Sequence, residues 1–542
     1  MSKRNKDKKK RAKETQSFDK TVDKKEEGSS TVSDGDVGGT TDKGTKSKTK
    51  DSSWYAEDEQ LLKDAASYPF SLPLGEVVPV LPGDITLEGE NSNDIVVEKQ
   101  YYNNPIPGVL TMKLSPSIGY SRNVYDSINV GANAVYSFVR HQNSGRKNYD
   151  PCDLMLYLTA VGQLYSFTVW MQRLYGYAFL YSARNQYVAK SLIKANGVNP
   201  DNLVANLANF RGYINVFINK ISSWAVPNTL NYYNRMAFLY SGFYTEGESI
   251  KDQLYQFAPS GFWKFQLDEN SAGMLKYKPL GVSGALTVSN IIAYAEDLIS
   301  NIFGDEDFGI MSGDILKAYE GNIIKLASMP ENYLVLPSME PMVLTQFKNA
   351  HFMMVDSNTK DVTQDSNGVI LSSLKPLTMS NEWGSNINSA GAYLAHYLSS
   401  HTRKLVNIDL DFPSPADIME SSRLIESIKK DGDDEFIVCG SEVIDSIRVD
   451  VKPEGSGSFV NVEESVVPSA SIAYLMNALG SFKWRPNVSG IYLSDGTDHF
   501  DLVRVEQTAE FDNVAVLDDE NVERLHEVAL LSLFRVPGVA KL

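Results

Sequence analysis

Residues 149–197 read YDPCDLMLYLTAVGQLYSFTVWMQRLYGYAFLYSARNQYVAKSLIKANG, and from Leu154 to Gln172 there is no charge for 19 residues before Arg173. Pro151 suits a first helical turn and Asp153 follows within it. Length alone would admit a membrane span. Thr159, Gly162, Gln163, Ser166 and Thr168 lower the apolarity, however, and the flanks, Asp153 on one side and a single Arg on the other, do not fit a span. The stretch is therefore read as a helix buried on every side. The helical pattern continues or restarts as far as Asn196-Gly197, a good C-terminal stop.

Outward from this helix, further helical patterns cover 200–224, opened by Pro200-Asp201, then 228–241 and 288–303. Beyond about residue 330 the pattern changes. YLVLPS (333–338), MVLTQF (342–347), AHFMMV (350–355) and GVILSSL (368–374) are short strand candidates bounded by turn residues. Helices are expected at 388–400, 415–430, 470–479 and 521–534. EFIVCG, VIDSIRVDV, GIYLSDG, FDLVRVEQ and VAVLDDE, between 435 and 520, read as strands. The fold class is α+β, with helices dominating the first half. Four regions follow: 1–50, a basic arm; 51–148, an extended Pro-rich arm with short elements, including a short helix at 58–66; 149–303, a helical core; and 304–542, a mixed α/β region.

Residues 1–50 contain only Met1, Ala12, Phe18, Val22, Val32 and Val37 as hydrophobics, too few to offset chain entropy, so this arm is expected to be disordered. It holds 15 Lys and Arg against 9 Asp and Glu, whereas the remaining residues hold 36 against 59. A basic arm on an acidic body can neutralise phosphate while the bodies stay soluble. The cations concentrate in Lys3, Arg4, Lys6, Lys8, Lys9, Lys10, Arg11 and Lys13, opposed only by Asp7. Such a run binds nucleic acid through counterion release, without reading sequence; a solvated tail and a nuclear import signal are the competing readings. Pro69, Pro73, Pro79 and Pro82 keep the next segment extended; a simple linker is the plainer reading, and an arm that crosses a neighbouring subunit, at a dimer interface, is the sharper one.

The chemistry-bearing residues form no catalytic set. Two cysteines, Cys152 and Cys439, point to a reducing compartment and offer no zinc site. Of the six histidines, only His396 and His401 are close, and a spacing of five puts them on different helix faces. Asp409 and Asp411 alternate, so on a strand both carboxylates would face one side and could hold Mg²⁺; a solvated face is the plainer reading, for them and for Asp431–Glu435. Asp307-Phe308-Gly309 spells a kinase magnesium motif without the Gly-rich loop, paired Lys and catalytic loop a kinase needs. No secretory signal or myristoylation signal is expected. Ala540-Lys541-Leu542 approaches a peroxisomal address only loosely, and Asn487-Val488-Ser489 is a formal glycosylation site. No cofactor, metal or small-molecule substrate is expected.

The block from about 149 to 262 resembles the capsid proteins of picobirnaviruses, which package segmented double-stranded RNA. The resemblance lies in an order of features: the Tyr-rich uncharged helix, the RLYG step (173–176), YSARNQY (181–187), then NFRGYINVFINKISSWAVPNTLNYYNRMAFLYSGFYTEGES (209–249) with its VPN turn, and DQLYQFAPSGFW (252–263). It implies a self-assembling structural protein, not an enzyme, found in the virion and assembled in the host cytoplasm. It further implies an icosahedral shell of intertwined two-fold dimers, a largely helical shell domain, and a smaller strand-containing protruding domain within 304–542. The N-terminal arm would face packaged RNA, and a host membrane would be a partner when the particle invades a cell. Tyr165, Tyr175, Tyr177 and Tyr181 are spaced to serve the core or subunit contacts. Three alternatives remain: the coat of another double-stranded RNA virus, such as a partitivirus-like one, a metal-dependent hydrolase using Asp409 and Asp411, and a membrane-anchored protein using 154–172.

Overall fold

The computed structural model describes residues 58–69, 106–376, 403–451, 479–486 and 510–536, less short breaks at 145–148, 181–184, 270–271, 282–283, 352, 354 and 433. It also describes Leu74 and the strand backbone at 77–79, 85–87, 95–97, 101–103, 460–464, 490–493 and 500–503. The chain divides into two units, 1–71 and 72–542. In the first, Asp58 caps helix α1 (Glu59–Ala66) by accepting from the Gln60 and Leu61 N–H groups, and no residue of α1 is buried.

The second unit contains β1 (Val109–Pro116), α2 (Ser127–Asn143), α3 (Pro151–Tyr177), α4 (Val188–Ala195), α5 (Leu207–Ile221), α6 (Asn231–Leu239), β2 (Tyr244–Thr245), β3 (Leu254–Pro259), β4 (Gly261–Leu267) and β5 (Gly273–Pro279). There follow α7 (Val288–Ile299), α8 (Glu306–Ala318), α9 (Pro341–Asn349), β6 (Lys404–Ile408), α10 (Pro415–Ser421), β7 (Ser427–Asp431), β8 (Asp434–Val438), β9 (Glu442–Val451), β10 (Val460–Glu464), β11 (Asn513–Leu517) and α11 (Asp519–Leu533).

α3 is the axle of the fold. A capping box joins Asp150 to Asp153, Pro151 stands in the first turn, and every residue is buried except Pro151, Asp153, Val169 and Gln172. It is long and apolar enough to cross a membrane, but it is enclosed by the rest of the unit. The hydroxyls of Thr159, Ser166 and Thr168 donate to carbonyls one turn back, at Met155, Gly162 and Leu164, which is how polar residues are tolerated there. The helix stops at Tyr177 and the pattern restarts as α4, which ends at Ala195 with Asn196 as its cap. The N–H groups of Ala178, Phe179 and Leu180 bond three residues back, tightening and ending the last turn before α4 begins.

α2, α5, α6 and α8 pack on α3. The α3–α6 contact is close because Gly162 leaves room for the Tyr233 ring; a Cβ at 162 would lie 2.5 Å from Tyr233 Cδ1. We expect Gly162→Ala to destabilise the protein by about 1–3 kcal/mol through overpacking, despite alanine's better helix propensity; a lowered thermal midpoint would show it, and an unchanged or raised one would refute it.

Beside the helices lies a five-stranded sheet in the order β10-β9-β1-β3-β2. β1 is parallel to β3, with Val109 opposite Leu254, and antiparallel to β9, with Thr111 opposite Arg448 and a bulge between Ile444 and Ser446. One hydrophobic core runs from Val109 to Val536 and takes in residues of both halves of the chain.

Several expectations are corrected. YLVLPS forms no strand, and MVLTQF lies inside helix α9, where Pro341 takes the first turn and Val343, Leu344 and Phe347 share the buried face. AHFMMV contributes only isolated bridges at His351 and Val355, and GVILSSL a two-residue strand at Ile370–Leu371. The helix expected over 415–430 ends at Ser421; 427–431 is strand β7, paired with β8 through Ile428 and Ile437. The expected 200–224 helix is broken at Asn206. Helix 388–400, and all of 470–479 but Leu479, lie outside the described residues.

Candidate nucleic-acid arm and assembly surfaces

The eight cations expected to meet nucleic acid, Lys3, Arg4, Lys6, Lys8, Lys9, Lys10, Arg11 and Lys13, lie outside the described residues. So do His396, His401, His499, Tyr181 and Asn487-Val488-Ser489. The remaining sequence-level candidates can be placed.

Asp409 and Asp411 do not share a strand face. β6 ends at Ile408, and both residues are exposed in the turn that follows. Asp409 instead lines a cavity of about 30 Å³ with Lys348, Lys483, Trp484, Glu510 and Asp512. Buried Lys348 pairs with Asp512, so an ammonium already supplies the positive charge among these carboxylates.

Asp307-Phe308-Gly309 is the first turn of α8. Asp305 caps it, and the Phe308 ring packs edge-on against Tyr157 and Phe265, with centroids 5.1 and 4.8 Å away. The 431–435 acidic run is the tip of the β7–β8 hairpin, held from outside: Arg122 Nη1 donates to Asp431 at 2.9 Å, and Lys375 to Asp434 at 2.9 Å. Lys375, by donating to it, holds the Asp434 carboxyl below its usual range.

Neither thiol is activated. Burial pushes Cys152 up to about 12, and its Sγ donates to Gln364 Oε1 at 2.8 Å. Cys439 is likewise raised by burial and lies 3.1 Å from Ser117 Oγ.

Three of the four tyrosines assigned either to core or to contacts belong to the core. Tyr165, Tyr175 and Tyr177 are buried, and their hydroxyls donate to Trp224 O, Glu331 O and Gln256 Oε1 at 2.8–2.9 Å. The surfaces left for contact are elsewhere. An open apolar groove of about 580 Å³ includes Phe179, Leu180, Ile250, Leu334, Leu336 and Met339, with Leu336 65% exposed. A second apolar group surrounds β11: Phe511, Val514 and Val516 are exposed there, and Phe412 in the turn after β6 is 93% exposed. Neither surface was legible beforehand, because both are assembled from segments distant in sequence. Apolar surface of this kind marks interaction sites.

A large aromatic core, reactive groups tied into structural roles and apolar surface left uncovered describe a protein built to pack and be packed. The chain belongs to the picobirnavirus capsid protein family, whose profile matches residues 54–371. A relative described as a capsid protein precursor, from Human picobirnavirus (strain Human/Thailand/Hy005102/-), is 28% identical across 91% of this chain and 92% of its own length. A crystal structure of the picobirnavirus capsid superposes with a TM-score of 0.72 at 21% identity, covering 91% of this chain and all of that one, so the fold is shared. The chain is thus a structural coat protein of the virion and not an enzyme, and self-assembly into a shell is the family's function. This sets aside the hydrolase and partitivirus-like alternatives.

Proposed function

We propose that the protein assembles as dimers into an icosahedral shell around double-stranded RNA, in the host cytoplasm, with Lys3–Lys13 facing the RNA. The observation that carries this reading is the polarity of charge: eight cations against one acid in residues 3–13, on a body in which Asp and Glu outnumber Lys and Arg by 59 to 36. Each arm is a weak ligand, and many copies lining one cavity compensate through effective concentration. The helical core 149–303 forms the shell, a protruding domain is drawn from 304–542, and a host membrane is met during invasion of a cell. The Pro-rich segment spanning Pro69 to Pro82 crosses the dimer interface.

The test is expression of the whole chain, followed by size-exclusion chromatography and electron microscopy at several salt concentrations, with absorbance read at 260 and 280 nm. Closed particles of uniform size are expected, and their nucleic acid should be lost when residues 1–50 are removed and should decline steeply with salt. A soluble monomer at every salt concentration, without nucleic acid, would overturn the reading. Deleting 67–83 should abolish dimers; intact particles would refute the arm's assignment.

A further inference from the structure

Residues 424–426 cross the interior between two histidines. On one side, the His351 N–H donates to Leu424 O at 3.0 Å, and His351 O accepts from the Glu426 N–H at 2.8 Å. On the other, His526 of α11, 4% exposed, bonds through Nε2 to Ile425 O at 2.6 Å. A carbonyl only accepts, so Nε2 carries the proton of the neutral ring. His351 Nδ1 is buried and has no hydrogen-bond partner among the described residues.

The charged groups around this joint come from every element packed on it. Lys404 of β6 pairs with Asp519 of α11 at 2.7 Å, and the Ser427 hydroxyl donates to the same carboxylate. Buried Glu426 accepts from the Met353 and Ile444 N–H groups at 2.7 and 2.6 Å. Arg423 is bound to Glu420, Glu442 to Arg235 and Asp445 to Lys360; the Cys439 thiol lies near Glu426. Among the described residues no carboxylate is hydrogen-bonded to His351 Nδ1; the Lys404 ammonium disfavours a charged ring there, and its partner Asp519 acts against that more weakly.

We propose that this joint is an acid-sensitive latch: protonation of His351 and His526 loosens the hold of segment 350–353 and helix α11 on residues 424–427, while the helical core around α3 stays folded. An imidazolium at 351 would be buried near the Lys404 ammonium, and one at 526 would be buried as well. Burial already holds both rings below the ordinary imidazole value, His351 down to about 4, with Lys404 adding to the effect.

The closed joint favours neutral rings, and the opened one takes up protons at the usual value near 6.5. The histidine contribution is therefore complete above about pH 6.5 and is lost as pH falls from there toward 4. Glu426, pushed up to about 8 by burial, acts in the opposite sense: its contribution grows as pH falls from about 8 toward 4.5. The histidine part must therefore be isolated by substitution.

The experiment is hydrogen–deuterium exchange on the full chain from about pH 7.5 to 4.5, corrected for intrinsic rates. Between about pH 7 and 5 the two imidazoles should lower the protection of 424–427 and α11, relative to α3, by at least about tenfold against the rise that Glu426 contributes. His351→Phe with His526→Gln, the latter keeping a donor for Ile425 O, should abolish that difference. An equal pH response of 424–427 and α11 in parent and variant overturns the proposal. Should the double variant fail to fold, NMR titration of the imidazoles in the parent decides: rings that resist protonation until 424–427 opens support the latch, and rings titrating near 6.5 in the closed protein overturn it.

Discussion

Arg173→Ala should cost about 3–5 kcal/mol and sharply reduce soluble yield. The guanidinium sits in the middle of the core, 0% exposed, at the end of a stretch of 19 residues that carry no charge. It is held by neutral acceptors: Nη1 donates to Gly242 O at 2.9 Å, and Nη2 to Asn196 Oδ1 and Phe257 O at 2.9 and 2.7 Å. Its charge also lies over the Tyr177 ring, 5.6 Å from the centroid. These contacts tie α3 to the end of α4, to the turn before β2 and to β3. Truncation opens a cavity and takes these donors from Gly242 O and Phe257 O, while Asn196 Oδ1 keeps the Trp170 indole N–H at 3.0 Å. Arg173→Lys should recover only part of the loss, since one ammonium cannot reproduce the planar fork. Chemical denaturation of the three proteins side by side measures this; a loss below about 1 kcal/mol for the alanine variant would mean that water or a neighbour replaces the fork.

The second large effect is expected at Glu442, at the start of β9. Arg235 of α6 reaches its Oε1 through Nε at 3.0 Å and Nη2 at 2.5 Å, and Gln346 of α9 accepts from the same Nη2 at 2.9 Å. Ser441 donates to the other carboxylate oxygen. Both partners are buried. A buried pair is weak evidence of net stabilisation, but breaking one half leaves an uncompensated charge, which costs about 3–5 kcal/mol. Glu442→Gln should therefore be strongly destabilising, and Arg235→Met combined with Glu442→Leu considerably less so. Burial works to raise the Glu442 carboxyl, and Arg235 nevertheless holds it below its usual range. The pair's contribution is accordingly present above about pH 4.5 and is lost as pH falls below it through the depressed value. Acid unfolding curves for parent and Glu442→Gln should converge in that range; parallel curves would contradict the assignment.

Much of the architecture was legible wherever one local signal dominated. The uncharged run at 154–172, with polar residues interrupting it and flanks unsuited to a membrane span, reads as an enclosed helix, and it is one. The hairpin strand at 434–438 and the strand at 442–451 also read correctly, from β-branched residues between turns. β1 escapes the pattern because it is buried on both faces and carries Thr111, Lys113 and Ser115, so it shows neither alternation nor a continuous apolar run. β3–β5 escape it for a related reason: their Tyr, Phe and Trp residues fit either period. α9 reads as a strand because MVLTQF is too short for its period to show, and Pro341, which opens the helix, looks like a boundary. The apolar groove and the joint between His351 and His526 belong to tertiary structure alone; no spacing in the sequence brings 351 to 425 or 526.

The pairing of β1 with β9 bears on when the protein becomes competent. Val109 and Leu110 find one neighbour in β3, but their other neighbour lies in residues 442–451. At ribosomal speeds the roughly 190 residues between Pro259 and Val451 take about 10–40 s to emerge, and for that time the edge of β1 is an unpaired template. Such long-range pairing slows folding. It also means that a polypeptide broken off before β9 leaves β1 with one open edge, so the sheet is completed only by residues from the last fifth of the chain.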